Sequence, residues 1–407
     1  MILLKEKCSA LHICLMMKNV EIDLLKPADD EIEITTIGPG FKNGESVVIH
    51  YGDGNWMIID SCKANDEVLP LEYLSAINVS LDSVKVVVCS HWHQDHYLGL
   101  HDILQKCKNA EFKIGKIGNF SNFVQYILKA NALQTNRADG WKEFEKCLDA
   151  LETIGKRKPQ YLYHDQLIDY NDKVDINLYC FGPSDEAMNA FDKLLVNLDI
   201  SNPQEIKLNE LKENMVSLSV TLSHKKDSAL IGCDAEVNRS NKYAIYDCRC
   251  DCDKAKTTGF CNVIHESKVF ARLIPFSFVK ISHHSSVTGY CPKFWEEDVE
   301  NEILIGVTTI FKTSKGENLP QKDMLTKHQL HCAHHYITCN KTENKPMPQM
   351  DNNEDIMEIS EDDFPGIVVC RWNTTNGETS RFLFGSAIEI SDDFLDKYHN
   401  DVEESEK

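Results

Sequence analysis

Apolar positions in this chain fall in short runs, each stopped by turn formers or by a polar cluster. Over residues 31–62, the alternation Ile32, Ile34, Thr36 is followed by runs at 46–50 and 56–60. Gly38-Pro39-Gly40 and Gly52-Asp53-Gly54 separate the three, and three strands are predicted. Val86, Val87, Val88 and Cys89 predict another strand, and residues 98–104 the helix after it. Residues 119–133 and 141–154 read as helices, the second with Phe144, Cys147, Leu148 and Leu151 at helical spacing. Further strands are predicted at 175–181, 216–222, 228–233, 278–281, 307–311 and 336–338, with a helix starting at Leu319-Pro320. Residues 366–372 and 381–390 form a hairpin around Asn376-Gly377. Strands alternate with helices and the second half mirrors the first, which predicts an α/β class.

The chemistry concentrates where the run at 86–89 ends. Ser90-His91-Trp92-His93-Gln94-Asp95-His96 holds three histidines and an aspartate in six consecutive positions. Neutral imidazole and ionised carboxylate are the usual donors for zinc, manganese or iron. Alternation in the approach puts His91 and His93 on one side, able to share one ion, while Asp95 and His96 reach a second. The bland alternative is a set of solvated surface histidines, which a buried β-branched run would not ordinarily deliver to an idle turn.

Three other units have the same form, a strand followed by polar residues. Residues 56–59 end at Asp60, residues 229–231 lead into Gly232-Cys233-Asp234, and residues 278–281 lead into Ser282-His283-His284-Ser285-Ser286. Each is weak alone, since Gly-x-Asp is common in turns and a His-His pair is more often structural.

The pattern H-x-H-x-D-H resembles the signature of the metallo-β-lactamase superfamily, and the four units follow the order that family requires. The resemblance implies an αββα sandwich with the metals at one edge of the sheets. It makes Asp60 a supporting residue for the metal turn and Asp234 a ligand bridging two metals. Lys280-Ile281-Ser282-His283-His284 is similar to the K-x-x-H-H-G-S form of ComEC-type hydrolase domains, with Ser285 in place of the usual glycine. A third histidine for the first metal is not found. Asn214, in the N-x-x-S-L run at 214–218, takes its place as a supporting residue. His164 sits before a predicted strand and His224 in a predicted hairpin turn. The implied first site is His91, His93 and Asp234. The second is Asp95, His96, Asp234 and one of the later histidines, with His283 favoured because it comes first after its strand. The cofactor is one or two Zn2+, with Mn2+ as the alternative.

The implied chemistry is hydrolysis by a cation-activated water. Asp95 serves as a ligand or as proton acceptor, and His284 is expected as general acid or as a support for a phosphate oxygen.

Composition narrows the substrate. A net charge of −21 disfavours free duplex DNA, whose binders neutralise phosphates with lysine and arginine. No run approaches the ~18 apolar residues that span a bilayer, so no membrane is expected. Sixteen cysteines, scattered through apolar runs such as those of Cys89, Cys180, Cys233 and Cys370, read as buried free thiols of a cytoplasmic protein. Cys248, Cys250, Cys252 and Cys261, with His265, form a weaker zinc candidate. So does the run His328, His331, Cys332, His334, His335, Cys339, whose spacing puts His331 and His335 on one face of a helix at an exposed edge.

The expected organisation is an N-terminal arm at 1–30, disordered or started upstream of a true Met17, and a hydrolase domain at 31–390. The domain carries insertions at 110–170 and 238–268, and an acidic, flexible tail follows at 391–407. The leading functional expectation is a phosphodiesterase or nuclease-like hydrolase acting on a phosphodiester or other small molecule, with room for a protein partner. Resemblance to stand-alone relatives implies an accessory role in bacterial defence. Two alternatives are a lactam, lactone or thioester hydrolase, and a non-catalytic binding or regulatory protein on the same fold.

Overall fold

Parallel strands with carboxyl ends on one side organise the molecule. The computed structural model describes residues 26–40, 44–64, 66–118, 122–126, 138–197, 213–225, 227–237, 263, 267–273, 276–291, 294–295, 303–312, 318–339, 356–359, 366–396 and 398. In chain order the strands are β1 (Glu31–Gly38), β2 (Ser46–Tyr51), β3 (Trp56–Ile59), β4 (Lys63–Ala64), β5 (Glu67–Val68), β6 (Val84–Cys89), β7 (Glu111–Gly115), β8 (Gln160–Leu162), β9 (Gln166–Asn171), β10 (Ile176–Gly182), β11 (Ser219–His224), β12 (Asp227–Ile231), β13 (Phe278–Lys280), β14 (Ile303–Thr308), β15 (Phe311–Lys312), β16 (Asn318–Leu319), β17 (Cys332–Ile337), β18 (Ile356–Ile359), β19 (Gly366–Asn373), β20 (Thr379–Phe384) and β21 (Ile388–Glu389). A nine-stranded sheet runs β18-β20-β19-β1-β2-β3-β6-β7-β8, and an eight-stranded sheet runs β21-β17-β14-β13-β12-β11-β10-β9.

Side-chain alternation turns these sheets into four layers. In β6, Val86 and Val88 join the core between the sheets with Met57, Ile59, Val220, Ala229, Phe278 and Val307. Val84, Val87 and Cys89 face the other way, onto the helices Leu69–Ala76, Leu100–Lys106 and Ala138–Thr153, through Leu74, Leu104, Phe144 and Cys147. Outside the second sheet, Leu230, Val279 and Ile281 pack on Phe270, Phe276, Phe294, Trp295 and Met324. The order helix, sheet, sheet, helix is the expected αββα sandwich. Cover on both faces explains why β6 reads as a nearly continuous apolar run.

β3, β6 and β7 run parallel in the first sheet, as do β12, β13, β14 and β17 in the second. In open α/β sheets, ligand sites form beyond the carboxyl ends of such strands. Asp60 follows β3, His91 follows β6, Asp234 follows β12, His283 and His284 follow β13, and Thr309 follows β14.

Several expectations shift. The helix after the metal turn spans Leu100–Lys106, and the second-sheet strand expected at 216–222 is Ser219–His224, preceded by a 3-10 turn at Glu213–Val216. The histidine-rich run is no exposed helix edge. His328 lies in the last turn of the helix Lys322–Gln329, His331 in the turn that follows, and His335 sits buried in parallel strand β17. Burial on a central strand outweighs the helical spacing. The expected tail begins with packed residues: Phe394, Leu395 and Tyr398 are buried with Ile337 and Ile390. The Cys248–Cys261 group, His265, residues 1–25 and residues 399–407 lie outside the described residues. Cys89, Cys180, Cys233 and Cys370 are buried and free. Among the described residues, no helix is long and apolar enough to cross a membrane.

Two buried histidines away from the sheet edge carry a pH dependence. His50 accepts a hydrogen bond from the Gly54 amide at 3.1 Å, and burial lowers its pKa to about 4. Burial lowers that of His335 to about 3. Both stay neutral in the fold and take up a proton at about pH 6.5 in the unfolded chain. Their contribution is therefore complete above about pH 6.5 and is lost as pH falls towards 4, by up to about 1.4 kcal/mol per pH unit for each group. Urea midpoints measured with chelator present should fall between pH 7 and pH 5, and His50→Gln should flatten the slope. A midpoint equally pH-dependent in that variant would remove His50 from the account.

Candidate metal centre

Asp60 sets the first turn. It has positive φ (59°), which turns its carboxylate back under the loop after β6. One oxygen accepts the Ser90 amide at 2.6 Å. The other accepts the Ser90 hydroxyl at 2.6 Å and faces His96 Nδ1 at 2.8 Å. A carboxylate on Nδ1 fixes the proton there and leaves Nε2 with its lone pair free for a metal. His91 is fixed similarly, with Nδ1 3.0 Å from the Ser90 hydroxyl and 3.5 Å from that of Ser217. Ser217 also accepts the Asp234 amide at 3.1 Å, which ties the two sheets' loops together.

Two groups of donors converge. His91, His93 and Asp234 form one, and Asp95, His96, Asp234 and His284 the other. Within each group one donor atom per residue lies within 4.8 Å of the rest. Asp234 Oδ2 stands 3.7 Å from His91 Nε2 and 3.3 Å from His96 Nε2, and Oδ1 stands 3.6 Å from His284 Nε2. The Nε2 atoms of His91, His96 and His284 and Oδ1 of Asp234 are buried without a hydrogen-bond partner. Buried polar atoms are ordinarily satisfied. Four orphans aimed at one another, all zinc-type donors, fit one or two divalent cations, and Asp234 is the residue common to both groups.

The His-His pair corrects one expectation. His284, not His283, joins the second group, and the backbone is the cause. His283, His284 and Ser285 all have positive φ (47°, 51° and 58°), so the chain coils left-handedly and the second imidazole swings inward. Gly232 permits the approach of the Asp234 loop, because a Cβ there would meet Ser282 Oγ at 2.1 Å. The His283 amide donates to the Cys233 carbonyl at 2.7 Å. His284 is held by Thr309 Oγ1 at 2.9 Å from Nδ1, by Glu45 Oε2 at 3.3 Å, and by stacking on Phe311 at 4.9 Å.

His283 instead turns to the rim. Its Nδ1 lies 2.8 Å from Ser286 Oγ, 2.9 Å from Thr288 Oγ1 and 3.1 Å from Glu236 Oε1. Its Nε2 is 3.2 Å from Asn214 Nδ2 and 3.9 Å from Asp234 Oδ2. Asn214 thus contacts His283 and not the first donor group. His164 stands 3.9 Å from Asp185, and His224 ends β11, so neither joins a donor group.

Sequence reasoning missed Glu45 and Lys280 as a pair. Both are buried, and their side chains form an ion pair behind His284, with the Thr309 hydroxyl donating to Glu45. The Glu45 amide also donates to the Asp95 carbonyl at 2.9 Å. Burial pushes the Glu45 carboxyl up, but the charges of Lys280, His284 and His96 together outweigh it and hold the pKa down. Lys280 lies in the quoted K-x-x-H-H motif, but nothing in the sequence pairs it with Glu45, which is 235 positions away.

The electrostatics are those of a cation-shaped hole. Burial opposes charge on His96, yet Asp234, Asp95 and Asp60 raise its pKa well above the ordinary range. Burial likewise opposes the Asp234 charge, yet His96, His284 and His283 hold its pKa well below the usual carboxylate range. His91, with burial dominant, is pushed down. Protons on imidazole here compete with a cation, so binding releases them.

The geometry separates the two neighbouring histidines. His284→Ala should weaken zinc binding by more than about 100-fold, whereas His283→Ala should change it by less than about tenfold. Competition with a chromophoric chelator reads both, and the reverse order would restore His283 as the ligand.

A model of the metallo-β-lactamase superfamily matches residues 39–142, which include the first metal turn. No curated protein matches the chain. Among solved structures, a candidate metallo-β-lactamase from Thermotoga maritima is 15% identical, over 53% of this chain and 84% of its own, with a TM-score of 0.30. The hydrolase AbOPH of the β-lactamase superfamily is 12% identical over 51% and 72%, with a TM-score of 0.32. The dizinc quorum-quenching lactonase AidC is 13% identical over 55% and 63%, with a TM-score of 0.29. Residues 39–142, the segment that holds the first donor turn, thus resemble the metallo-β-lactamase superfamily.

Proposed function

We propose that this protein is a metal-dependent hydrolase, with a phosphodiester as its favoured substrate. The observation that carries the hydrolase reading is the convergence of orphaned buried donors on the shared carboxylate of Asp234. His91, His93 and Asp234 would hold one Zn2+, and Asp95, His96, Asp234 and His284 the other. When bound, such ions supply Lewis acidity and bring the pKa of a water from about 15.7 towards about 7.

The chain's own residues do the rest. Asp60 keeps His96 in one tautomer, and the Glu45–Lys280 pair with Thr309 keeps His284 in place. With both ions bound Asp95 would be a ligand; with only the first bound, its carboxylate, 10% exposed, would be free to accept a proton. His283, 16% exposed and braced by Glu236 and Thr288, stands at the rim with Nε2 facing the Asn214 Nδ2 donor at 3.2 Å, and the two side chains line the approach of a substrate oxygen. The preference for a phosphodiester rests on the K-x-x-H-H and N-x-x-S motifs, and the acidic chain favours a nucleotide-sized substrate over free duplex DNA.

Zinc-loaded protein should hydrolyse bis-nitrophenyl phosphate, single-stranded DNA or a cyclic nucleotide in preference to nitrocefin or a thioester. His93→Ala and Asp234→Asn should each lose more than about 100-fold of that activity. A preference for nitrocefin or the thioester would move the substrate to the lactam and thioester class. Silence across the panel with zinc bound would favour a non-catalytic binding protein.

A further inference from the structure

The helix Lys322–Gln329 carries a buried residue that the proposed chemistry does not use. His328 is fully buried, with Nδ1 2.7 Å from Ser285 Oγ and Nε2 without a hydrogen-bond partner. Its ring stands edge-on to Trp295, centroids 4.6 Å apart at 69°, and to Tyr290 at 5.2 Å and 63°. Either tautomer keeps the Nδ1–Ser285 hydrogen bond, since the hydroxyl can donate or accept. Burial keeps the ring neutral.

Ser285 is the last of the three left-handed residues, at φ 58°. A side chain in that conformation is strained, and it persists only where its surroundings hold it. The same helix holds the turn at its other end. The Gln321 amide donates to the Ser285 carbonyl at 3.4 Å, and Gln321 Oε1 accepts the Val287 amide at 2.8 Å. A glycine would take this conformation without strain, and the hydroxyl that serine adds is the one His328 engages.

We propose that His328 is a positioning residue: through the Ser285 hydroxyl it holds the left-handed turn of residues 283–285 and so keeps His284 Nε2 aimed at Asp95 and Asp234. The role rests on the reading of His284 as a cation ligand.

The test uses the full chain with Ser285→Gly, His328→Leu, His328→Asn and the Ser285→Gly/His328→Leu double variant. Urea unfolding is followed with chelator present, and zinc affinity by chelator competition. His328→Leu should lower the urea midpoint and weaken zinc binding by about tenfold or more. Both losses should shrink by at least half in the Ser285→Gly background, since glycine takes the left-handed conformation without strain and needs no tether. His328→Asn, which keeps a polar atom where Nδ1 stands, should recover most of the wild-type behaviour. Equal losses in both backgrounds would overturn the tether and leave His328 a packing residue. Wild-type zinc affinity in His328→Leu would overturn the positioning of His284 alone. Wild-type protein that takes up no zinc would instead sink the metal-hydrolase reading, and the positioning role with it.

Discussion

A buried carboxylate facing three imidazoles is the constraint on which the site turns. Asp234 is 2% exposed and has its own amide tied to Ser217, but Oδ1 has no hydrogen-bond partner. An isolated buried charge is expensive, and the apparatus around Asp234 supplies positive charge from His96 and room for a cation. Ser90, Asp60, Thr309 and Glu45 then fix which nitrogen of each imidazole faces inward.

The fold makes that meeting possible by a simple device. Parallel strands in each sheet end on the same side, so the loops after β3, β6, β12 and β13 meet across the sandwich edge. Two polar clamps brace the meeting from behind: Asp60 under the first turn, and Glu45 with Lys280 behind His284. Each clamp is buried, and each joins segments distant in the chain. Rigid supports of this kind hold the donor atoms in place.

Much of this was legible along the chain. Runs ending in Asp60, His91, Asp234 and His283 announced both the strands and the chemistry, because a fully covered strand needs apolar residues on both faces and its end is where polar groups surface. The three N-terminal strands and the turn at Asn376-Gly377 matched their signals, since glycine and asparagine report local backbone geometry directly, but the strand expected at 381–390 divides into β20 and β21, which join different sheets. The histidine-rich run at 328–335 misled for the opposite reason: its spacing is helical, but the helix stops at Gln329, and from Cys332 burial in a parallel strand decides the conformation.

What the sequence by itself determined is the set of donors and their order, since residue type decides which atoms can bind a cation and strand-ending patterns decide where they emerge. Only the tertiary structure decided which of two adjacent histidines turns inward, that Glu45 meets Lys280, and that His328 meets Ser285. Those outcomes depend on left-handed backbone at residues 283–285 and on contacts between segments far apart in the chain. Local sequence carries no term for such contacts, because their energy exists only once the sheets have packed.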